Sequence, residues 1–209
     1  PIAYLVIAIF LLVTGWFFCA TFFLFTHANL RAFYTLLPVV FAFVIPATTM
    51  RLISEEINVG SDEILLTMPV TFRDVILGKF LASVALVVAM LFPTVAYPLT
   101  VSLMGQLDWG PVIGGYLGAI FLGAAFSAVG LFASALTRNQ IIAFIIGLAI
   151  CFTLTLIDKM LYFLPQSLLG VFAYLGADFH FQNIAKGIID SRDILYFVSI
   201  CFVGLYGAY

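Results

Sequence analysis

Long apolar runs without charge dominate this chain and restrict what it can fold into. Residues 2–25 contain no acidic or basic side chain. Further apolar runs cover residues 32–50, 72–104, 112–136, 141–157 and 193–209, and two of them, 72–104 and 193–209, carry charge only near their start. A helix of about 20 apolar residues is long enough to cross a bilayer. With 65% hydrophobic and only 9% charged residues, the sequence predicts an all-α polytopic membrane protein. We expect six transmembrane helices in a single domain, residues 1–209.

The exception is a charged stretch between the second and third runs. Of the chain's 8 basic and 10 acidic residues, eight lie between Arg51 and Lys79. On a helix, Glu56 and Glu63 line one flank of an apolar stripe, and Glu55 and Asp62 lie roughly opposite that stripe, so the four carboxylates form an acidic outer arc. Anionic lipids would repel these carboxylates, so the acidic face favours a basic protein surface. We expect an amphipathic element over residues 51–70, and a charged re-entry loop is the alternative.

Breaks within this pattern are also predictable. Gly60 indicates either a break between two short helices or a close backbone approach. Thr71 and Asp74 fit a capping box that begins the third span. Pro93 and Pro98 predict a kink or break in that span.

The charged stretch resembles the intracellular signature of type 2 ATP-binding-cassette (ABC-2) permeases. The residues that carry the resemblance are Glu56, Gly60, Ser61, Glu63, Leu65, Leu66, Pro69 and Val70, followed by Ile76, Leu77, Gly78 and Lys79. The turn Thr137-Arg138-Asn139-Gln140 is similar to that family's turn between its fourth and fifth helices. Residues 180–197, from His180 to Phe197, are similar to the gliding-motility branch of these permeases.

This resemblance implies that residues 51–70 form a cytosolic coupling helix on an ATPase. The coupling residues are then Glu55, Glu56, Gly60, Ser61, Asp62, Glu63, Leu65, Leu66 and Pro69. Lys and Arg are balanced between the two faces, so the positive-inside rule does not orient the chain. The resemblance supplies the orientation instead. It places extracellular re-entrant or interfacial helices in the outer-face loop, residues 158–192, where an ordinary loop is the alternative. The family normally has an amphipathic elbow helix before its first span, and we expect that this helix is missing from a sequence that begins at Pro1.

A stripe of small residues runs along the fourth span at a spacing of four. Its members are Gly115, Ala119, Gly123 and Ser127. Small side chains let helices approach closely in lipid. The stripe therefore predicts helix packing, either within one subunit or between subunits.

The chain lacks the residues that several functional classes of membrane protein require. No span carries an ionisable side chain near its middle, which argues against ion-coupled carriers and intramembrane proteases. The two histidines, His27 and His180, and the three cysteines have no metal-ligand spacing. The phosphate-binding pattern G-x-x-x-x-G-K-[ST] does not occur. We therefore expect no enzyme activity, no metal and no cofactor in this chain, with ATP and Mg bound by a partner ATPase.

The sequence thus favours a permease subunit in the bacterial inner membrane, driven by ATP hydrolysis on a separate ATPase. We expect the permease to export a hydrophobic or amphiphilic substrate, or to transmit force to an envelope partner. Expected partners are the cytosolic ATPase, a second or homologous permease, the lipid bilayer and a periplasmic auxiliary subunit, with no nucleic acid. The alternative is a membrane anchor or scaffold in an envelope machine that moves nothing across.

Overall fold

Every regular element in the described part of the chain is an α-helix. The structure, a computed structural model, describes residues 2–25, 30–60, 71–104, 107–160, 174–188 and 190–209. The helices in these ranges are α1 (Ile2–Phe25), α2 (Arg31–Thr49), α3 (Ser54–Val59), α4 (Phe72–Thr94), α5 (Ala96–Met104), α6 (Trp109–Ala135), α7 (Gln140–Met160), α8 (Ala177–Ala185) and α9 (Ser191–Gly207).

Within the described ranges, five helical stretches are long and apolar enough to cross a membrane. They are Ala3–Ala20, Arg31–Val59, Phe72–Leu103, Trp109–Ala135 and Gln140–Ile157. These match the first five predicted spans, and the protein is a multi-pass membrane protein. The sixth predicted span corresponds to α9, whose 17 residues extend over only about 25 Å. Since a hydrocarbon core is about 30 Å thick, the sixth span stays a prediction.

Helix α6 lies at the centre of the bundle and packs against α2, α4, α7, α8 and α9. The predicted small-residue stripe explains two of these contacts. A Cβ at Gly115 would lie 2.3 Å from the Tyr34 ring of α2, and one at Gly123 would lie 2.5 Å from Val87 of α4. The other two members of the stripe, Ala119 and Ser127, are fully buried. The stripe therefore packs helices of the same chain against one another.

The helix boundaries follow local signals in the sequence. The Thr71 side chain accepts from the Asp74 amide at 3.4 Å, and the Asp74 carboxylate accepts from the Thr71 amide at 3.2 Å, which confirms the capping box. The third span breaks at Val95, two residues after Pro93, also as predicted. The break predicted at Pro98 is wrong: Pro98 lies in the first turn of α5, where a missing amide costs little, and the helix continues through it.

Candidate functional site

The short helix α3 begins at Ser54, five residues after α2 ends at Thr49, and stands at one end of the bundle. Glu55 and Glu56 lie in its first turn, where carboxylates complement the helix dipole. Gly60 ends it in the left-handed conformation, with φ +73° and ψ 20°. This is the first half of the amphipathic element predicted for residues 51–70, and the segment from 61 to 70 lies outside the described residues.

One hydroxyl group attaches the start of α3 to the central helix. Ser134, near the end of α6, accepts from the amides of Ile53 at 3.1 Å and Ser54 at 2.9 Å. The same hydroxyl donates to the Met50 carbonyl at 2.9 Å. Amides at a helix start have no partner within the helix, and these two are buried. Replacing Ser134 would leave them unpaired, so the sequence-distant hydroxyl fixes where α3 stands.

A lysine of the third span holds α3 from a second side. The Lys79 ammonium donates to the Leu52 carbonyl at 2.5 Å and forms an ion pair with the Glu56 carboxylate. Glu56, predicted to face an ATPase, therefore has a partner within its own chain. The exposed surface of α3 consists instead of Glu55, Asn58, Val59 and Gly60. Of the acidic residues in the described part of the element, Glu55 is the one that faces outward.

Replacing Lys79 by methionine should loosen α3 while leaving the bundle folded. The variant loses a charge-assisted hydrogen bond and an ion pair, together worth about 1–2 kcal/mol at a partly exposed site. We expect amide hydrogen exchange of residues 53–59 to accelerate by about 5–30-fold. Arg73→Met is the matched control, because Arg73 lies on the same helix but contacts the Tyr209 ring. Equal exchange in both variants would show that Lys79 does not hold α3.

Gly60 has a backbone conformation, with φ +73°, that favours glycine. Nothing in the described chain lies within 4 Å of a Cβ built at this position. The close approach offered as one explanation for Gly60 is therefore absent within the described chain, and the break after Val59 is observed. A positive φ strains most side chains, and β-branched ones most of all.

The remaining predicted coupling residues lie outside the described residues. They are Ser61, Asp62, Glu63, Leu65, Leu66 and Pro69. Their role on an ATPase stays a prediction.

At the opposite end of the bundle, sequence analysis missed a buried polar pair. His180 of α8 and Asp193 of α9 are 2% and 3% exposed, and the imidazole Nδ1 lies 2.5 Å from a carboxylate oxygen. The imidazole Nε2 lies 3.0 Å from the Tyr174 carbonyl, and the Tyr196 ring stacks on the imidazole. The spacing of 13 residues matches no single helix or strand, so only a motif comparison could have paired them. Within the described ranges, no group of three potential ligands could hold a metal.

Comparison with known families agrees with this arrangement of apolar helices and a short polar element. The chain matches the family model of the ABC-2 family transporter proteins over residues 2–199. Comparison with curated proteins finds no match. The family match covers the first five predicted spans and the first part of the sixth, and it leaves out the last ten residues of the chain. The protein therefore belongs to the ABC-2 transporter family, whose members are membrane permease subunits of ABC transporters.

Proposed function

We propose that this chain is an export-type permease subunit whose α3 transmits the movement of a cytosolic ATPase to the transmembrane helices. The observation that carries the proposal is the attachment of α3. Ser134 connects it to α6 and Lys79 connects it to α4, while Glu55 and Asn58 remain exposed. A short helix that is held on its inner side and open on its outer side can pass on a displacement.

The central position of α6 gives such a displacement a route. A force on α3 reaches the end of α6 through Ser134, and α6 packs against five other helices. Packed helices move as rigid elements between discrete arrangements. ATP-driven movement of the partner would in this way rearrange the whole bundle.

The proposal also includes the orientation of the chain, its sixth span, its permease partner, its substrate class and its branch of the family. The α3 end faces the cytosol of a bacterial cell, α9 completes a sixth span, and a second permease copy completes the transporter. The uncharged, aromatic-rich spans favour a hydrophobic or amphiphilic substrate. Placement in the gliding-motility branch is supported by the resemblance of residues 180–197.

Two variants of Gly60 test the coupling role of α3. Gly60→Val places a β-branched residue at a positive φ, which costs about 1–2 kcal/mol and disfavours the observed α3 geometry by about 5–30-fold. Gly60→Asn is the matched control, because asparagine tolerates this conformation. We expect both variants to retain the ATPase in mild detergent. In Gly60→Val, but not in Gly60→Asn, ATP hydrolysis should stop responding to the permease.

The outcomes separate the proposal from its rivals. Normal coupling in both variants would mean that α3 is only a solvated connection. An ATPase that co-purifies, with no ATP-dependent movement of substrate in the reconstituted complex, would favour the scaffold. Absence of any co-purifying ATPase would contradict the permease role itself.

A further inference from the structure

A cavity of about 510 Å³ opens at the end of the bundle opposite α3. Its walls come from the start of α2, the start of α6 and the end of α8. Arg31, Asp108 and Lys186 bring charge to it, while Leu107 and Val112 form part of an apolar wall. Cavities of this size suit small ligands or parts of larger ones.

Close contacts between α2, α6 and α8 hold the described residues around this cavity together. The Tyr34 hydroxyl of α2 donates to the Val112 carbonyl of α6 at 3.2 Å. Gly114 leaves room for the Ile184 carbonyl of α8, which would lie only 2.3 Å from a Cβ there. Gly187, with φ +85°, ends α8 directly against Gly110. The three helices therefore present a preformed cavity, which reduces the entropy lost when a ligand binds.

The charges of the lining select an anion. Among the described residues of the lining, Arg31 and Lys186 bring two positive charges and Asp108 brings one negative charge, so these residues together carry a net positive charge. The Asp108 carboxylate also accepts from the Gly110 amide at 3.1 Å. Arginine and lysine are the side chains that bind phosphate oxygens most often.

The position of the cavity indicates that the anion belongs to a lipid. Arg31 is the first residue of an apolar span, and Trp109 begins α6 beside the cavity with a half-exposed ring. Tryptophan and basic residues at helix ends mark the level of lipid headgroups. An apolar wall beside two cations matches a phosphate that carries hydrocarbon chains.

We propose that this cavity binds the phosphate of a phospholipid headgroup. Arg31 and Lys186 donate to the phosphate oxygens, Asp108 accepts from the ammonium or hydroxyl of the headgroup, and the glycerol carbons lie along Leu107 and Val112. The proposed function puts the α3 end in the cytosol, so the lipid would belong to the outer leaflet; this placement rests on the proposed function, whereas binding of the phosphate does not.

Native mass spectrometry of the purified permease, together with any partner it retains, tests this directly. Phosphatidylethanolamine, phosphatidylglycerol and the phosphate-free diacylglycerol are added separately. We expect both phospholipids to be retained and diacylglycerol to be lost. The double variant Arg31→Gln/Lys186→Gln should reduce phospholipid occupancy at least tenfold, and Lys186→Arg alone should retain it. Lys159→Gln is the control, since Lys159 lies at the same end outside the lining.

Three results would overturn the proposal. Equal retention of diacylglycerol would mean apolar packing only. Unchanged phospholipid occupancy in the double variant, shown to be folded by its thermal transition, would exclude the two cations. Binding of inorganic phosphate at lipid-free sites, with no phospholipid retained, would identify a soluble anion instead. Because occupancy is measured without ATP, a failed lipid site would leave the Gly60 result unaffected, and a failed coupling test would leave lipid retention unaffected.

Discussion

Replacing Asp193 by alanine is expected to lower the free energy of unfolding by about 1–3 kcal/mol, the usual cost of leaving a buried polar group without its hydrogen-bond partner. The Tyr174 carbonyl accepts from His180 Nε2, so that nitrogen carries a hydrogen. At 2.5 Å, a hydrogen must also lie between Nδ1 and the Asp193 carboxylate. Alanine would leave the imidazole without this partner in a site that is almost fully buried.

The same pair connects α8 to α9, so its loss should weaken the contact between the two helices as well as leave one buried group unpaired. The other Asp193 oxygen has no hydrogen-bond partner within the described part of the chain, and the carboxylate is thus held by His180. Denaturant unfolding in mild detergent measures the effect. Asp190→Ala is the control, because Asp190 is the exposed N-cap of the same helix and should cost only about 1 kcal/mol.

A double variant tests whether the pair is the cause. His180→Phe/Asp193→Leu removes both polar partners, and replacing a buried pair by apolar groups is often close to neutral. We expect it to be more stable than Asp193→Ala. If Asp193→Ala is no worse than Asp190→Ala, the pair contributes no stability.

Gly114→Ala is expected to destabilise the bundle by about 2–3 kcal/mol through overpacking. The added Cβ would lie 2.3 Å from the Ile184 carbonyl oxygen and 3.1 Å from Gly187 Cα. Both are backbone atoms, so no side chain can rotate away and α8 itself must shift. The thermal transition of the purified protein should fall by several degrees.

Gly78→Ala provides a matched control for this substitution. Gly78 also lies in a helix, but nothing in the described chain is within 4 Å of a Cβ built there. Alanine at that position should be neutral or stabilising by up to about 1 kcal/mol. Equal stability of the two variants would mean that α8 does not pack as closely on α6 as the structure places it.

Helix boundaries were predictable because their signals are local. The capping box at Thr71 and the break after Pro93 depend on residues within one turn. The end of α3 at Gly60 depends on the freedom of a glycine to adopt a positive φ. None of these requires knowledge of a neighbouring helix.

The partners of the polar side chains could not be predicted. Glu56 looked available to another protein, yet it pairs with Lys79, 23 residues away. Ser134 carried no signal, and its contact with Ser54 joins residues 80 positions apart. Such pairs exist only once the helices have taken their places.

By itself, the sequence determined the class of protein, since uncharged runs of about 20 residues leave a spanning helix as the stable choice. Which helix lies inside could not be determined from hydropathy and was decided by the tertiary structure. In the most apolar window of α6, 72% of the residues are buried within the protein, whereas in the most apolar window of α1 only 11% are buried. Lipid is as apolar as a protein core, so hydropathy cannot distinguish a helix face against lipid from one against another helix. Shape does so, through the glycines that let the neighbours of α6 approach.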